Sequence, residues 1–196
     1  MASDRTRIEP FFLDTDRGTR FCLLHRPPPG KAHSSVLYVH PFAEEMNKSR
    51  RMAAMQSRAL AALGYMVLQI DLFGCGDSSG ELRDASIPLW QADMQAAANW
   101  LHARDARPLK VWGHRFGCLL AADWAKATNV PIDGLILWQP ISSGEAHLTQ
   151  FLRIGTATAL LTSGSAAGVG SSLRKRLSAG EIVEVGGYEI SPELAR

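Results

Sequence analysis

The chain has 196 residues, of which 46% are hydrophobic and 20% are charged, the composition of an ordinary globular domain. Its formal net charge of +2 is too small to indicate a nucleic-acid partner or an acidic membrane as partner. No apolar run approaches the ~20 residues that a membrane span requires, so we expect none.

Short apolar runs alternate with helical patterns along the chain, which is typical of a parallel sheet flanked by helices. Two leading strands at residues 8–13 and 20–25 join through the turn Asp16-Arg17-Gly18 and predict an antiparallel hairpin. Asn47 is predicted to cap the first helix and Gly64 to end it. Further strands are predicted at residues 35–40, 65–71, 109–112 and 134–138, and helices at residues 47–63, 88–102 and 115–128.

The residue pattern changes from Gly155 onward. Small residues dominate there, followed by a basic stretch at residues 174–176 and a β-like run at residues 182–188. We therefore predict a core at residues 1–154 and a lid-like or partly disordered segment at residues 155–196.

Three cysteines, Cys22, Cys75 and Cys118, lack the spacing of metal ligands. An odd number of cysteines in a chain of this size is typical of reduced thiols in a cytosolic protein. We therefore expect a cytoplasmic location, and no motif indicates a metal site or a cofactor.

The loop after the strand at residues 109–112 carries the most informative motif, Gly113-His114-Arg115-Phe116-Gly117. Glycine two positions before and two after a central residue is the frame of a nucleophile elbow, usually Gly-x-Ser-x-Gly. The central residue of an elbow has a strained backbone, and the glycines let the strand and the helix approach each other. In this sequence the central residue is Arg115.

Other segments fit the same frame in order and spacing. Val39-His40-Pro41-Phe42 stands where α/β-hydrolases place the loop that supplies one oxyanion-hole amide. Residues 71–78 (Asp-Leu-Phe-Gly-Cys-Gly-Asp-Ser) resemble the Asp-x-x-Gly-x-Gly-x-Ser loop of those proteins. The resemblance implies an α/β-hydrolase-like fold, a doubly wound and mostly parallel sheet with a leading hairpin.

Longer blocks resemble one family in that superfamily, the hydrolase 2 associated with the exosortase A system. These blocks are residues 41–51 (Pro-Phe-Ala-Glu-Glu-Met-Asn-Lys-Ser-Arg-Arg), the Gly-x-Arg-x-Gly elbow, residues 137–140 and residues 148–153. The resemblance implies a hydrolase of the ester or thioester class. It also implies a gene context of exopolysaccharide synthesis and of export of proteins with a Pro-Glu-Pro (PEP-CTERM) sorting tail, in Gram-negative bacteria.

The residues themselves do not support serine-triad chemistry. The Arg115 guanidinium is neither a nucleophile nor a base near neutral pH. After Asp133 the sequence has no aspartate, and its only later histidine is His147. We therefore assign no catalytic residue and expect a sheet without the last strands of the fold. The prediction is a pseudoenzyme, either a catalytically impaired hydrolase or a binding or accessory module.

Arg115 stands at the start of a helix, where exposed amides already present partial positive charge, and this predicts an anion beside it. Two sources of that anion stay open. Glu44 and Glu45 lie on the loop predicted to face the elbow, and one of them could form an internal ion pair. Alternatively, an external carboxylate or phosphate could bind Arg115 and the amides of Phe42 and Phe116.

Further candidates remain beside this pocket. His40 and His114 flank it and could act as acid or base toward a ligand, or could simply satisfy backbone carbonyls. One alternative function is an active esterase or thioesterase with an unconventional nucleophile, such as Ser78, Ser143 or Cys118. Another is an inert fragment that forms a homo-oligomer through an exposed sheet edge. The expected ligand is a small anionic or acyl molecule.

Overall fold

Six strands form the central sheet of the computed structural model, which describes residues 6–163 and 169–195. In chain order they are β1 (Arg7–Thr15), β2 (Gly18–Arg26), β3 (Ser34–Val39), β4 (Tyr65–Ile70), β5 (Leu109–His114) and β6 (Ile132–Trp138). Their order across the sheet is β1-β2-β4-β3-β5-β6. Strands β1 and β2 form an antiparallel hairpin, β2 pairs antiparallel with β4, and the remaining pairs are parallel.

Helices cover both faces of this sheet. They are α1 (Glu44–Ala62), α2 (Ile87–His102), α3 (Phe116–Ala127), α4 (Gly144–Ser163) and α5 (Val169–Ser178), with a short 3-10 turn at Leu82–Asp84. Helix α1 packs on one face, where its Ala53 meets Tyr38 and Trp112. The larger core lies on the other face and includes Trp90 of α2 and Leu120 of α3. The predicted doubly wound, mostly parallel sheet with a leading hairpin is confirmed.

Helix α1 begins at Glu44, earlier than predicted, because Ala43 turns the chain with φ 48° and ψ −125°. The assignment of Asn47 as the helix cap is therefore wrong. Its side chain instead donates a hydrogen bond to the Tyr188 hydroxyl at 3.1 Å. The predicted end of the helix is confirmed, since Gly64 follows it with φ 97°, a conformation that favours glycine.

The C-terminal residues pack back onto the larger core. Helix α4 passes through the predicted boundary between residues 154 and 155. After α5, strands β7 (Val183–Val185) and β8 (Tyr188–Ile190) form a separate hairpin. Leu173, Ile190 and Leu194 join the core that contains Trp90. The division into a core and a lid-like segment stays a prediction, and residues 1–5, 164–168 and 196 of those two segments lie outside the described residues.

Strand β6 forms one edge of the central sheet. Three consecutive apolar side chains on it are exposed, Leu135 at 40%, Ile136 at 39% and Leu137 at 47%. An edge strand presents unpaired backbone groups, and a second copy of the chain could pair with them. The predicted homo-oligomer would form through this edge.

Over the described ranges 6–163 and 169–195, no helix is both long enough and apolar enough to cross a membrane.

Candidate functional site

The turn from β5 into α3 has the geometry of an elbow. Arg115 adopts φ 53° and ψ −115°, a conformation that is rare for a residue with a side chain. A Cβ atom on Gly117 would lie 2.3 Å from the Val39 carbonyl oxygen, and one on Gly113 would lie 2.6 Å from the Cα atom of Cys118. The two glycines therefore meet the steric requirement that the Gly-x-Arg-x-Gly spacing predicts.

Backbone strain is concentrated at the carboxyl ends of the parallel strands. Besides Arg115, the described residues other than glycine with positive φ are Ala43 (48°) and Gln139 (47°). Ala43 lies a few residues beyond the carboxyl end of β3, and Gln139 directly follows β6. Strands β3, β5 and β6 are parallel neighbours, so their carboxyl ends meet at the same end of the sheet. All three strained residues lie at that end. Strained residues cluster at functional sites, which supports a site at the carboxyl ends of these strands.

Arg115 and Glu45 form an ion pair at the carboxyl ends of these strands. The Arg115 Nε and Nη2 groups donate to Glu45 Oε1 at 3.2 and 2.9 Å. Glu45 Oε2 is buried and has no hydrogen-bond partner within the described part of the chain. Glu44 faces elsewhere, because its Oε2 accepts from the Tyr188 hydroxyl at 3.2 Å and its Oε1 lies 3.6 Å from Lys48 Nζ. Of the two candidate counter-ions, the structure brings Glu45 to Arg115.

A cavity of about 660 Å³ opens beside the elbow. Its apolar wall includes Phe42, Phe116, Leu120, Phe151 and Leu194. Phe42 lies edge-on to Phe116 at 5.6 Å and to Phe151 at 5.1 Å between ring centroids. Predominantly apolar cavities of this size with a few polar groups are the usual form of small-molecule sites.

His147 is the polar side chain buried in this wall. It is 8% exposed, its ring stacks on Phe116 at 5.6 Å, and neither ring nitrogen has a hydrogen-bond partner among the described residues. Burial lowers the pKa of His147, while the Glu45 carboxylate raises it and the Arg115 charge lowers it. At neutral pH the ring is therefore uncharged, with one donor and one acceptor nitrogen.

His147 is the last histidine of the chain, and no sequence motif predicts that it belongs to the site. The available signal was its position shortly after β6, at the edge where the elbow lies. What could not be read from the sequence is that α4 folds back so that His147 stacks on Phe116, a residue of another helix.

His40 and His114 lie under the elbow. His40 is buried, its Nδ1 lies 2.7 Å from the Pro41 carbonyl oxygen, and its Nε2 lies 3.3 Å from the Leu72 amide nitrogen, which donates to it. A ligand contact by His40 would have to replace one of these bonds. His114 Nδ1 lies 3.4 Å from the Tyr38 hydroxyl. Burial lowers the pKa of both histidines.

The other candidate nucleophiles are engaged or buried. Cys118 is 2% exposed, and burial raises the pKa of its thiol. The Ser78 hydroxyl donates to the Asp71 carbonyl oxygen and accepts from the Phe21 amide. The exposed Ser143 hydroxyl accepts from the Ala146 amide at 3.3 Å. Across residues 6–163 and 169–195, no group of three or more His, Cys, Asp or Glu side chains is arranged to hold a metal ion.

Comparison with known proteins agrees with this geometry. A family model described as serine aminopeptidase, S33, matches residues 30–178. The human protein ABHD12B is 29% identical over 112 residues, which are 55% of this chain and 30% of that protein. The zebrafish (Danio rerio) lysophosphatidylserine lipase ABHD12 is 25% identical over 155 residues, 68% of this chain and 39% of that protein. The chain thus spans roughly a third of the length of these curated relatives.

Solved structures show the same fold. XC6422 from Xanthomonas campestris, a member of the α/β serine hydrolases without a lid, matches with a TM-score of 0.55 at 21% identity, over 67% of this chain and 70% of that chain. At this identity the likeness establishes the fold alone. The α/β-hydrolase fold inferred from the glycine-framed elbow and from the motifs at residues 39–42 and 71–78 is confirmed.

Proposed function

This chain belongs to the serine aminopeptidase S33 family of α/β-hydrolases, and from that premise we propose that it binds an acyl ligand without serine-hydrolase chemistry. The observation that carries the proposal is Arg115 at the strained elbow, directly before Phe116, which lines an apolar cavity of about 660 Å³. The acyl chain lies in the cavity. Its carbonyl or carboxylate oxygen meets Arg115 and the amides of Phe42 and Phe116, since the first amides of a helix such as α3 have no partner within the helix.

The residue at the elbow decides the chemistry. In a serine hydrolase this position supplies the oxygen that is acylated, and a neighbouring base takes up its proton. A guanidinium has no such oxygen and stays protonated, so no acyl-enzyme forms on Arg115. An arginine here can instead hold an anionic or strongly polarised oxygen by charge-assisted hydrogen bonds.

Glu45 sets how strongly Arg115 binds an anion. The carboxylate already neutralises the guanidinium, and both side chains are partly exposed, Arg115 at 26% and Glu45 at 35%. An anionic head group therefore competes with Glu45 for Arg115. His40, Glu44 and Phe42 belong to the same binding loop in this proposal, with His40 and Glu44 holding the loop through the contacts described above.

The C-terminal segment, residues 155–196, acts as a lid in this proposal. Of its described residues, Arg174, Ile190, Leu194 and Ala195 lie on the cavity wall. The Tyr188 hydroxyl bonds Glu44, which fastens the hairpin of β7 and β8 to the first turn of α1. A lid of this kind would exclude water from the acyl chain.

Two relationships bear on the biological ligand and context. The zebrafish relative is named as a lipase of lysophosphatidylserine, a lipid with an acyl chain and an anionic head group. The sequence blocks at residues 41–51 and 148–153 resemble the exosortase A-associated hydrolase 2 family. We accordingly assign the chain an accessory role in that exopolysaccharide and PEP-CTERM context. The buried free thiols Cys22, Cys75 and Cys118 support a cytoplasmic location.

Calorimetric titration with octanoate, an eight-carbon acyl anion, tests the proposal. Arg115→Gln should weaken binding about tenfold or more, the size expected for hydrogen bonds to a charged group. Glu45→Gln should strengthen binding, because it removes the competing carboxylate. Lys126→Gln is the matched control: Lys126 is a cation on the cavity wall, in the last turn of α3 and so at the opposite end of that helix from the elbow, and its loss should change affinity less than about threefold.

Two results would overturn this function. One is octanoate affinity that is unchanged in the Arg115→Gln variant. The other is covalent labelling of the wild-type protein by a fluorophosphonate probe, which would show an activated nucleophile and favour the alternative of an active esterase or thioesterase.

A further inference from the structure

The outer side of helix α1 carries an apolar stripe formed by Met52, Met55, Ala59 and Leu63. Met52 is 38% exposed and Met55 is 57% exposed, while Ala59 and Leu63 are also exposed. The four residues are separated by steps of three or four positions, which return to the same side of a helix. A contiguous apolar patch on a protein surface marks a contact site, whereas single apolar residues do not.

Trp138 extends the apolar stripe onto the sheet. A groove of about 490 Å³ lies between α1 and the end of β6, and Met52, Met55 and the half-buried Trp138 line it. Ile136 stands two residues earlier on β6, so it lies on the same face of the strand, and it is exposed as well. These side chains therefore form one apolar surface on the face of the sheet that α1 covers.

The charged side chains along this part of α1 are positive. Between residues 46 and 63 the sequence has no aspartate or glutamate, and its cations are Lys48, Arg50, Arg51 and Arg58. The whole chain has a formal net charge of only +2, so acidic side chains elsewhere balance this helix. Exposed charges are largely screened from one another beyond about 8 Å at physiological ionic strength. The local charge, rather than the net charge, therefore decides what binds to α1.

Two of these cations have no acidic partner. Arg51 and Arg58 are exposed and form no ion pair within residues 6–163 and 169–195. Lys48 is 74% exposed, and its Nζ atom lies 3.6 Å from a carboxylate oxygen at the start of α1. Arg50 is engaged, because it donates to Asp71 at 2.8 Å. The outer side of α1 therefore offers two unpaired guanidinium groups beside the apolar stripe.

We propose that this surface docks on a membrane that contains anionic lipids. Arg51 and Arg58 bind lipid phosphates, while Met52 and Met55 enter the boundary between head groups and acyl chains. The indole of Trp138 suits the level of the head groups, where its apolar ring and its N–H group both find partners. This docking is independent of the proposed acyl-binding function, because other side chains line the cavity beside the elbow.

The combination of cations and apolar side chains favours a lipid surface over other partners. A nucleic acid would place phosphates on Arg51 and Arg58 and would leave Met52 and Met55 in water. A protein partner would need a surface shaped to fit the groove. A lipid surface supplies both phosphates and apolar contact and adapts to flexible methionine side chains.

Co-sedimentation with vesicles at physiological ionic strength tests the proposal. Wild-type protein should bind vesicles of equal parts phosphatidylcholine and phosphatidylglycerol about tenfold or more tightly than vesicles of phosphatidylcholine alone. The double variant Arg51→Gln/Arg58→Gln should bind the mixed vesicles about tenfold or more weakly, since each cation near an anionic surface contributes about fivefold. Arg153→Gln/Lys175→Gln is the matched control and should lose less than about threefold. It removes the same charge at exposed positions of α4 and α5, which pack on the other face of the sheet.

A second double variant tests the apolar contact. Met52→Gln/Met55→Gln leaves the charge unchanged and replaces each methionine with a residue of similar helix propensity. It should weaken binding to the mixed vesicles about fivefold or more, because the two side chains no longer gain from leaving water. All of the exchanged side chains are exposed, so the variants should keep the stability of the wild type.

The possible outcomes separate this docking from its alternatives. Wild-type protein that does not bind the mixed vesicles would overturn the proposal and leave the surface to an acidic protein partner. Equal binding to both kinds of vesicle, or equal losses in the two arginine and lysine double variants, would also overturn it. Unchanged binding of Met52→Gln/Met55→Gln would refute the entry of the methionines into the membrane. None of the exchanged residues lines the acyl cavity, so octanoate titration tests the acyl-binding function separately.

Discussion

Arg115 and Glu45 meet through a single carboxylate oxygen, so that the second oxygen of Glu45 is buried without a partner in the described structure. The contact joins the β5–α3 elbow to the first turn of α1. Partly exposed ion pairs contribute little to stability, typically about 0–1 kcal/mol. The consequence of this pair is therefore geometric, because it fixes the guanidinium against the first turn of α1 and balances its charge.

Restoring the usual elbow residue should not restore catalysis. In the Arg115→Ser variant the described residues offer no histidine paired with a carboxylate to activate the new hydroxyl. His147 is stacked on Phe116, and its ring nitrogens have no carboxylate partner within residues 6–163 and 169–195. Hydrolysis of p-nitrophenyl butyrate should stay near the level of the parent protein. A gain in turnover of several hundredfold would contradict this prediction.

The elbow glycines should tolerate no side chain. Gly117→Ala places a Cβ atom 2.3 Å from the Val39 carbonyl oxygen, so strand β3 or helix α3 has to move. We expect a loss of about 3 kcal/mol or more in the free energy of unfolding, measured by urea titration. Gly144→Ala is the control, since a Cβ atom on Gly144 meets nothing within 4 Å and should change stability by less than about 1 kcal/mol.

The free energy of unfolding should decrease as the pH is lowered through the range in which the protonation of His25 differs between the folded and unfolded states. Burial, and secondarily the Arg58 charge, lowers the pKa of His25 to about 4 in the folded protein. The unfolded chain binds this proton near pH 6.5, so the contribution of the neutral ring is complete above that pH. It is lost progressively as the pH falls toward 4, by an expected total of about 3 kcal/mol.

Denaturant titrations between pH 7.5 and 4 measure this dependence. The His25→Leu variant should show a shallower fall in the free energy of unfolding than the wild type. His33→Gln, at an exposed histidine, is the control and should keep the wild-type slope. Equal slopes in wild type and His25→Leu would refute the assignment to His25.

The exposed edge strand should control self-association. Leu135→Lys introduces a charge on β6, which is how natural proteins protect sheet edges. If the chain forms a homo-oligomer through this edge, the variant should shift the sedimentation coefficient toward that of the monomer at protein concentrations where the wild type associates. Leu63→Lys is the control, because Leu63 is 68% exposed at the end of α1, away from the edge. An equal effect of both substitutions would point to general apolar association.

Local patterns in the sequence were sufficient for the fold and for the frame of the site. The alternation of apolar runs and helical patterns predicted the sheet, and Gly113 and Gly117 predicted the elbow. Both features can be predicted from the sequence because each depends on residues that are close together in the chain. The chemistry of Arg115 also follows from residue type alone. The start of α1 was mispredicted because Asn47 resembled a helix cap, whereas the turn at Ala43 depends on how the chain leaves β3.

What the sequence determined by itself is that an arginine occupies the nucleophile position of an α/β-hydrolase elbow. Only the tertiary structure decided which acidic residue meets it, since Glu44 and Glu45 are adjacent on α1 and point in different directions, one to Tyr188 and the other to Arg115. The burial of His147 and the shape of the cavity were likewise decided in three dimensions. They arise where α4 and the C-terminal segment pack over α3, and contacts between segments distant in sequence leave no periodic pattern along the chain.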